Sequence, residues 1–345
     1  MHKVGIIGCG TVHGVHAEAL SHTDNACVAA TSGGANTVLT AVADIIPQRA
    51  QATAEKFGCD WYTDYKDLLA REDIDSVHIC VPHYLHAPIA IEAMRAGKNV
   101  LTEKPMAISP ADAEEMIRVS KETGKQLGVC FQNRYNKINA TVKALLDSGR
   151  AGKIKGARAI VTWHRDRAYY DSAEWRGTWK YEGGGVLINQ SIHTIDMLQW
   201  YMGEIDKLKA HVDTRLLGDC IEVEDTAEAT VLFKSGAVLL FYATNCYSST
   251  PNPFVELECE NCTIRIEDDV RVTWSDGRIE YIQDDGKAIG DKAYWGRSHE
   301  KLIADFYRTL DEGGKFAVDG EQGITAIKII DGIYRSSKTN EYVTI

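Results

Sequence analysis

No apolar run in this 345-residue sequence approaches the roughly 18 residues of a membrane helix, so a membrane is not an expected partner. The opening Met1-His2-Lys3 runs into Val4-Gly5-Ile6-Ile7-Gly8. It lacks the longer apolar core and the small-residue cleavage site of a signal peptide, and the expected location is the cytoplasm. Positive charge is in deficit, with 38 Lys and Arg against 49 Asp and Glu and a net charge of -11. A surface of that sign repels phosphate backbones, which argues against nucleic acid as a partner, although local basic residues can still hold one small anion. A disulfide framework is missing too. The nine cysteines are odd in number and scattered, several within apolar runs where a thiol packs as a small hydrophobe. Cys259 and Cys262 form a lone C-x-x-C. With no second pair at matching spacing it reads as a hairpin turn, and no metal is expected.

What is present is an ordinary globular composition, 44% hydrophobic and 25% charged, in a chain long enough for two domains. The first third alternates strand patterns (4–8, 39–43, 77–81, 99–102, 127–131) with helical ones (13–21, 47–57, 88–96, 110–123), the last three helices stopping at Gly58, Gly97 and Gly124. Such alternation implies parallel pairing through right-handed crossovers, a doubly wound Rossmann α/β sheet. After about residue 133 the pattern changes. A helix over 136–148 leads to a strand over 155–164, a Tyr/Trp/Arg-rich loop and a helix over 187–201. Successive strands follow from 207 to 282, separated by turns such as Lys234-Ser235-Gly236 and Ser275-Asp276-Gly277, and helices over 299–312 and 322–337 close the chain. Short turns pair strands antiparallel. The expectation is a dinucleotide-binding domain over 1–133 and, over 134–345, an α+β domain with an open, mainly antiparallel sheet for substrate binding and oligomerisation.

Gly8-Cys9-Gly10 follows the first strand and precedes a helix, the context that gives a glycine motif meaning. The first glycine permits the turn. The second, with Thr11 and Val12 beyond it, lets the backbone approach a pyrophosphate at the helix N-terminus. The usual third glycine is replaced by His13. Thr40-Ala41-Val42-Ala43-Asp44 ends a second strand on an acid, which accepts hydrogen bonds from ribose hydroxyls and repels a 2′-phosphate. Asp44 therefore favours NAD over NADP, although helix capping is an alternative use for it. It also lies well beyond the roughly 20 residues usual after the glycines. A rival strand over 26–31 has the usual spacing, but the helix start at Pro47 favours Asp44 and makes 31–37 an insertion.

Further along, Glu103-Lys104-Pro105 follows a strand, and Gly183-Gly184-Gly185-Val186-Leu187 continues through His193 to Asp196. With Val81-Pro82-His83-Tyr84-Leu85-His86, Gln132-Asn133-Arg134-Tyr135, Asp319-Gly320 and Tyr334-Arg335-Ser336, the whole chain resembles the Gfo/Idh/MocA oxidoreductases. The resemblance implies tightly bound NAD or NADP, and oxidation or reduction of a hydroxyl-bearing carbon on a sugar, cyclitol or related polyol. It implies cofactor contacts from Pro82, His86, Glu103, Lys104 and Gln132, and places Lys104 and His193 beside the nicotinamide, His193 as proton donor or acceptor. Arg134 falls among the expected substrate contacts. The family often has Asp four residues before that histidine; here it is Asn189, in a recognised Asn-Gln variant of the motif.

The chemistry fits the residue types. An imidazole with a reference pKa of about 6.5 is a natural base for a hydroxyl proton. A nearby ammonium stabilises the developing alkoxide or lowers the base's pKa by repulsion. Asn189, one helical turn before His193, shares its face and orients a substrate but cannot hold a proton. The loop carrying Trp163, Arg165, Tyr170, Trp175 and Arg176 offers rings for pyranose faces and guanidinium groups for hydroxyls or a carboxylate; core or interface packing is its alternative use. The leading expectation is an NAD-dependent sugar or cyclitol dehydrogenase, a homodimer or homotetramer. A non-catalytic sugar or dinucleotide sensor and an NAD-using glycosidase are the alternatives on the same scaffold.

Overall fold

The computed structural model describes residues 1–21, 36–283 and 298–345. The rival strand over 26–31, Cys27 and most of the 31–37 stretch lie outside them. The chain divides into two units, one comprising Met1–Tyr135 and a later stretch ending at Ile324, the other beginning at Asn136 and closing with Thr325–Ile345.

The first unit is a parallel six-stranded sheet. Its strands are β1 (His2–Ile7), β2 (Thr37–Ala43), β3 (Asp60–Tyr62), β4 (Ser76–Ile79), β5 (Asn99–Thr102) and β6 (Leu127–Val129), in the order β3-β2-β1-β4-β5-β6. This is the doubly wound order that reverses beside β1, and it makes Thr37–Ala43 the second strand with Asp44 at its exit. Helices Pro47–Phe57 and Pro110–Thr123 start on a proline, which the first helical turn tolerates, and Ser109 caps the second by accepting from Asp112 N–H at 3.1 Å. The short β3 carries no alternation that the sequence reading could catch.

One boundary needs correcting. The helix Ser298–Glu312, which chain order assigns to the second domain, belongs to the first unit. Its Phe306 and Tyr307 are fully buried, and the Tyr307 hydroxyl lies 2.8 Å from Ser76 Oγ and 2.9 Å from His78 Nε2 on the central strand β4.

The second unit is a nine-stranded sheet of β7 (Ile154–Thr162), β8 (Ile205–Asp213), β9 (Thr226–Phe233), β10 (Val238–Thr244), β11 (Phe254–Cys259), β12 (Cys262–Ile266), β13 (Val270–Trp274), β14 (Ile279–Ile282) and β15 (Val343–Thr344). The order is β14-β13-β12-β11-β7-β10-β9-β8-β15, and β7 with β10 is the one parallel pair among otherwise antiparallel neighbours. Cys259 and Cys262 flank the β11–β12 hairpin, and all eight described cysteines are free. Alternation sorts β10: Leu239, Phe241 and Ala243 are buried, whereas Val238 and Leu240 are exposed. Ile195 and Leu198 of helix Ile192–Met202 and Ile329 and Ile333 of helix Gly320–Thr339 line, with Val231, Leu239 and Phe241, one apolar cluster on the inner face. No helix among the described residues is long and apolar enough to cross a membrane.

The helix expected over 187–201 is two elements. Val186–Gln190 is a wide turn in which Ser191 N–H reaches Val186 O at 2.9 Å, five residues back, and the regular helix begins at Ile192. Asn189 and His193 therefore do not share one regular helix face. The glycine run causes the break: a Cβ on Gly185 would sit 1.9 Å from the Glu224 carbonyl oxygen, so the segment enters pressed against the chain just ahead of β9.

Candidate active site

In the first unit, the expected residues cluster where β1, β2, β4, β5 and β6 end. Gly8 has φ of 95°, and a Cβ there would lie 2.5 Å from Cys80 O, so both conformation and packing require glycine. Gly10 faces open space within 4 Å, leaving its backbone approachable by a ligand. His13, in place of the third glycine, joins Gly10 O at 2.5 Å through Nδ1 and Thr53 Oγ1 at 3.1 Å through Nε2, tying the loop to helix Pro47–Phe57. Thr11 is exposed and Val12 half-buried at this turn. Asp44 Oδ2 accepts from Cys9 N–H at 2.7 Å and Oδ1 from Ile46 N–H at 2.8 Å. Each carboxylate oxygen keeps a lone pair for a ribose hydroxyl. Gln132, in the turn after β6, is buried, and its Oε1 has no partner, an orphan acceptor suited to an amide N–H of a ligand. The open glycine, the acid at the β2 exit and this orphan oxygen fit a nicotinamide dinucleotide. Pro82 leads the turn His83–Leu85 that follows β4.

Three expected contacts have other duties. His86 is 1% exposed, with Nδ1 2.6 Å from Pro105 O and Nε2 2.8 Å from Val81 O, so no ring nitrogen is left to offer a dinucleotide. It ties the loop after β5 to the loop after β4, and burial pushes its pKa down. Arg134 is buried, with Nη1 3.2 Å from Gln322 Oε1. Glu103 faces inward: Oε1 lies 2.9 Å from His16 Nε2 and 3.5 Å from His299 Nε2, and Oε2 accepts from Lys104 N–H at 3.2 Å. Lys104 itself is half-buried at the β5 exit.

The sequence reading missed the chain of groups behind Glu103. His16 Nδ1 is 3.0 Å from His78 Nδ1, and His78 Nε2 is 2.9 Å from the Tyr307 hydroxyl. Since His16 Nε2 donates to Glu103, its Nδ1 accepts, His78 Nδ1 donates, and His78 Nε2 accepts from the Tyr307 O–H. Every bond is made with neutral rings. Burial depresses both imidazoles, that of His78 well below its ordinary value. Burial alone would raise Glu103, but the hydrogen bonds from His16 and His299 outweigh it and hold the carboxyl well below its usual range. The Cys130 thiol lies in one buried cluster with His16 and Glu103, and burial pushes it well above its ordinary value.

In the second unit, every residue over 184–198 is buried except Asn189 and His193, which are half-exposed. Glu224, buried two residues ahead of β9, accepts from Gly185 N–H at 3.0 Å and Leu187 N–H at 3.0 Å. Burial pushes its carboxyl up to about 7. Glu182 accepts from Gly177 N–H and from Asn189 Nδ2, both at 2.5 Å. In that contact the Asn189 amide acts as the donor and the Glu182 carboxylate as the acceptor. Tyr169, in the same loop, is not among the residues the sequence singles out; its hydroxyl lies 2.5 Å from Arg176 Nη1, 3.1 Å from Gln190 Nε2 and 3.3 Å from Asn189 Nδ2. Tyr170, expected at the substrate, is instead 4% exposed and packed with Ile221 and Val223, its hydroxyl accepting from Asn245 Nδ2 at 2.9 Å. Trp163 and Trp175 are half-buried and lie under the guanidinium groups of Arg165 and Arg176.

A Rossmann unit with a dinucleotide loop, followed by a sheet domain presenting an Asn–His pair, defines a two-domain nicotinamide-dependent oxidoreductase. Residues 2–131 match the family described as an oxidoreductase family with an NAD-binding Rossmann fold, and residues 139–265 match the GFO/IDH/MocA C-terminal domain. The chain belongs to the Gfo/Idh/MocA family. It is 25% identical over 352 residues to an inositol 2-dehydrogenase of Rhizobium meliloti (strain 1021), covering 99% of each chain. To an inositol 2-dehydrogenase of Rubrobacter xylanophilus it is 33% identical over 204 residues, spanning 52% of that protein and 58% of this chain. Among solved structures, the WlbA dehydrogenase of Bordetella pertussis in complex with NADH and UDP-GlcNAcA has 27% identity and a TM-score of 0.84, covering 100% of this chain and 98% of that one. Levoglucosan dehydrogenase, complexed with NADH and levoglucosan, shares the fold at 23% identity and a TM-score of 0.88, with 100% and 99% covered.

Two predictions follow from this geometry. Asp44→Ala removes the ribose acceptor and unlatches Cys9 N–H. NAD affinity, read by fluorescence titration, falls by about 10-fold or more, as expected for hydrogen bonds to a charged group, while NADP loses less. A variant binding NAD as the parent does contradicts the assignment. The second concerns pH. Below about pH 6.5 the unfolded chain protonates His16 and His78 and the folded chain refuses those protons, so each histidine lowers stability as pH falls, by up to about 1.4 kcal/mol per pH unit. Glu224, whose folded pKa is raised, acts with the opposite sign between its unfolded value and about 7. His78→Phe isolates one histidine: urea midpoints from pH 6.5 to 5 should show a fall shallower than the parent's by about one proton, and parallel falls would refute the neutral-ring chain.

Proposed function

We propose that the protein transfers a hydride between NAD and a secondary hydroxyl or keto carbon of a sugar, sugar derivative or cyclitol, with Lys104, Asn189 and His193 as the residues that handle the substrate. The observation that carries this reading is the selective exposure of Asn189 and His193 in a run that is otherwise buried from 184 to 198. A helix start sealed on all sides but for one imidazole and one amide is built to present those two groups. The relatives' names point the same way: an inositol 2-dehydrogenase acts on a cyclitol, and WlbA was solved with UDP-GlcNAcA.

The nicotinamide, when bound, accepts or donates the hydride. The protein supplies position and proton transfer. His193 takes the hydroxyl proton in the oxidising direction and returns it in the other. The Lys104 ammonium stabilises negative charge that grows on the substrate oxygen. Asn189, its Nδ2 spent on Glu182, presents its carbonyl oxygen as an acceptor for a substrate hydroxyl and fixes the sugar's orientation. Gln132 Oε1 accepts from the carboxamide of the cofactor, and Asp44 from its adenosine ribose.

The protein works as a homodimer or homotetramer in the cytoplasm. Ile160, Val238 and Leu240 leave 40%, 37% and 59% of their surfaces exposed on the outer face of the second unit's sheet, an apolar strip that a second copy would cover. The free cysteines suit a reducing compartment. A single-chain mass in sedimentation equilibrium would exclude the oligomer, and recovery outside the cytosolic fraction would exclude the compartment.

The test of the reading is His193→Ala. Turnover of the preferred polyol, followed as NADH absorbance at 340 nm, falls roughly 10²- to 10⁴-fold, with NAD affinity close to that of the parent. Unchanged turnover would remove His193 from proton transfer.

A further inference from the structure

We infer that Arg165 and Arg176 form a carboxylate-binding subsite, so that the substrate of the proposed dehydrogenase is a sugar acid rather than a neutral polyol. The inference rests on that functional reading and narrows its substrate class.

The two guanidinium groups converge on one aromatic ring. The Arg165 guanidinium carbon lies 4.9 Å from the Tyr169 ring centroid and 5.0 Å from that of Trp163. The Arg176 carbon lies 4.4 Å from the same Tyr169 ring and 4.6 Å from Trp175. Stacking between rings holds each fork in a fixed plane, the preorganisation that two-pronged carboxylate recognition needs. Two cations that share one ring repel, and a protein with a net charge of -11 has acids to spare for neutralising them. It does so for the neighbouring Arg167, paired with Asp219 through Nη2 and Oδ2 at 2.5 Å. Yet among the described residues neither Arg165 nor Arg176 has an acidic partner. Arg165 donates Nη1 to the His164 carbonyl at 2.7 Å, and Arg176 donates Nη1 to the Tyr169 hydroxyl at 2.5 Å. The Nε of each is shut off from solvent with no acceptor. Buried charged donors left unspent are costly unless a ligand completes them.

The pair is also wired to the catalytic segment. The Tyr169 hydroxyl that Arg176 contacts lies 3.3 Å from Asn189 Nδ2 and 3.1 Å from Gln190 Nε2. An anion held at the forks thus sits one aromatic ring from the amide that orients the reacting hydroxyl, a separation suited to substituents of one sugar. A singly charged carboxylate fits better than a phosphate dianion, because Asp166 caps the adjoining short helix, accepting from Tyr169 N–H at 2.9 Å, and adds negative charge beside the site.

The experiment is isothermal titration of the NADH-loaded protein with glucuronate, galacturonate and mannuronate, each against its neutral hexose, and with glucose 6-phosphate. At least one uronate binds tighter than its hexose by on the order of 10- to 100-fold, the range for charge-assisted hydrogen bonds. Arg165→Met and Arg176→Met each cut that preference by about 10-fold, and Arg176→Lys, which keeps the charge but loses the fork, recovers only part. Equal affinity for acid and hexose, a preference for glucose 6-phosphate, or a preference that survives both Met variants overturns the subsite, and the wild-type comparison decides even if a variant fails to fold. NADH formation from a neutral polyol with no uronate preference overturns this inference and leaves the dehydrogenase reading standing. Tight uronate binding without turnover at 340 nm does the reverse.

Discussion

Buried or half-buried carboxylates accepting backbone N–H groups hold each functional loop in shape. Asp44 draws in Cys9 of the glycine loop, Glu103 binds Lys104 N–H, Glu182 holds Gly177 and the Asn189 amide, and Glu224 holds Gly185 and Leu187. Asp225 does the same for Arg215, Leu216 and Leu217. Loops rich in glycine have little side-chain packing to define them. A carboxylate with several lone pairs can pin two or three amides at once, and such charge-assisted bonds are about twice as strong as neutral ones. The cost is desolvation of the acid, and two of these buried acids meet it differently. Glu103 is ringed by imidazole donors and stays ionised, whereas Glu224, with amides and a tyrosine around it, is pushed up to about 7.

This constraint explains why the glycines of the second motif are needed. Gly185 must pass so near the Glu224 backbone that a side chain would overlap its carbonyl oxygen. The same close passage brings the Glu224 carboxylate within reach of the Gly185 and Leu187 amides and opens the wide turn at Val186–Gln190. The turn leaves Asn189 and His193 as the accessible groups of the segment. Glycine run, buried acid, irregular turn and half-exposed imidazole are thus one device.

Local sequence carried most of the fold. Helix ends at Gly58, Gly97 and Gly124, the strand Asn99–Thr102 and the hairpin at Cys259 and Cys262 are written in turn residues and apolar runs. So was the choice of second strand, because Pro47 announced the helix that follows it. Local pattern could not reveal long-range partnership. His16, His78 and His299 stand far apart in the chain, and nothing near any of them announces that His16 and His299 meet at Glu103 or that His78 joins through His16. The same limit put Tyr170 and His86 at the ligand: residue type was right for the task, but burial against Val223 and the Pro105 carbonyl decides otherwise. The helix Ser298–Glu312 is legible in its own residues but its unit is not, since chain order says nothing about Tyr307 reaching Ser76.

The dependence of loop shape on a buried acid is tested most directly by amide hydrogen exchange in Glu224→Ala. In the parent protein the Gly185 and Leu187 amides should exchange slowly. In the variant they should quicken by about 10-fold or more, the loss of the hydrogen bonds to the carboxyl, while the β9–β10 ladder keeps its protection. Gly185 and Leu187 amides that exchange as slowly without the carboxylate as with it would contradict the account.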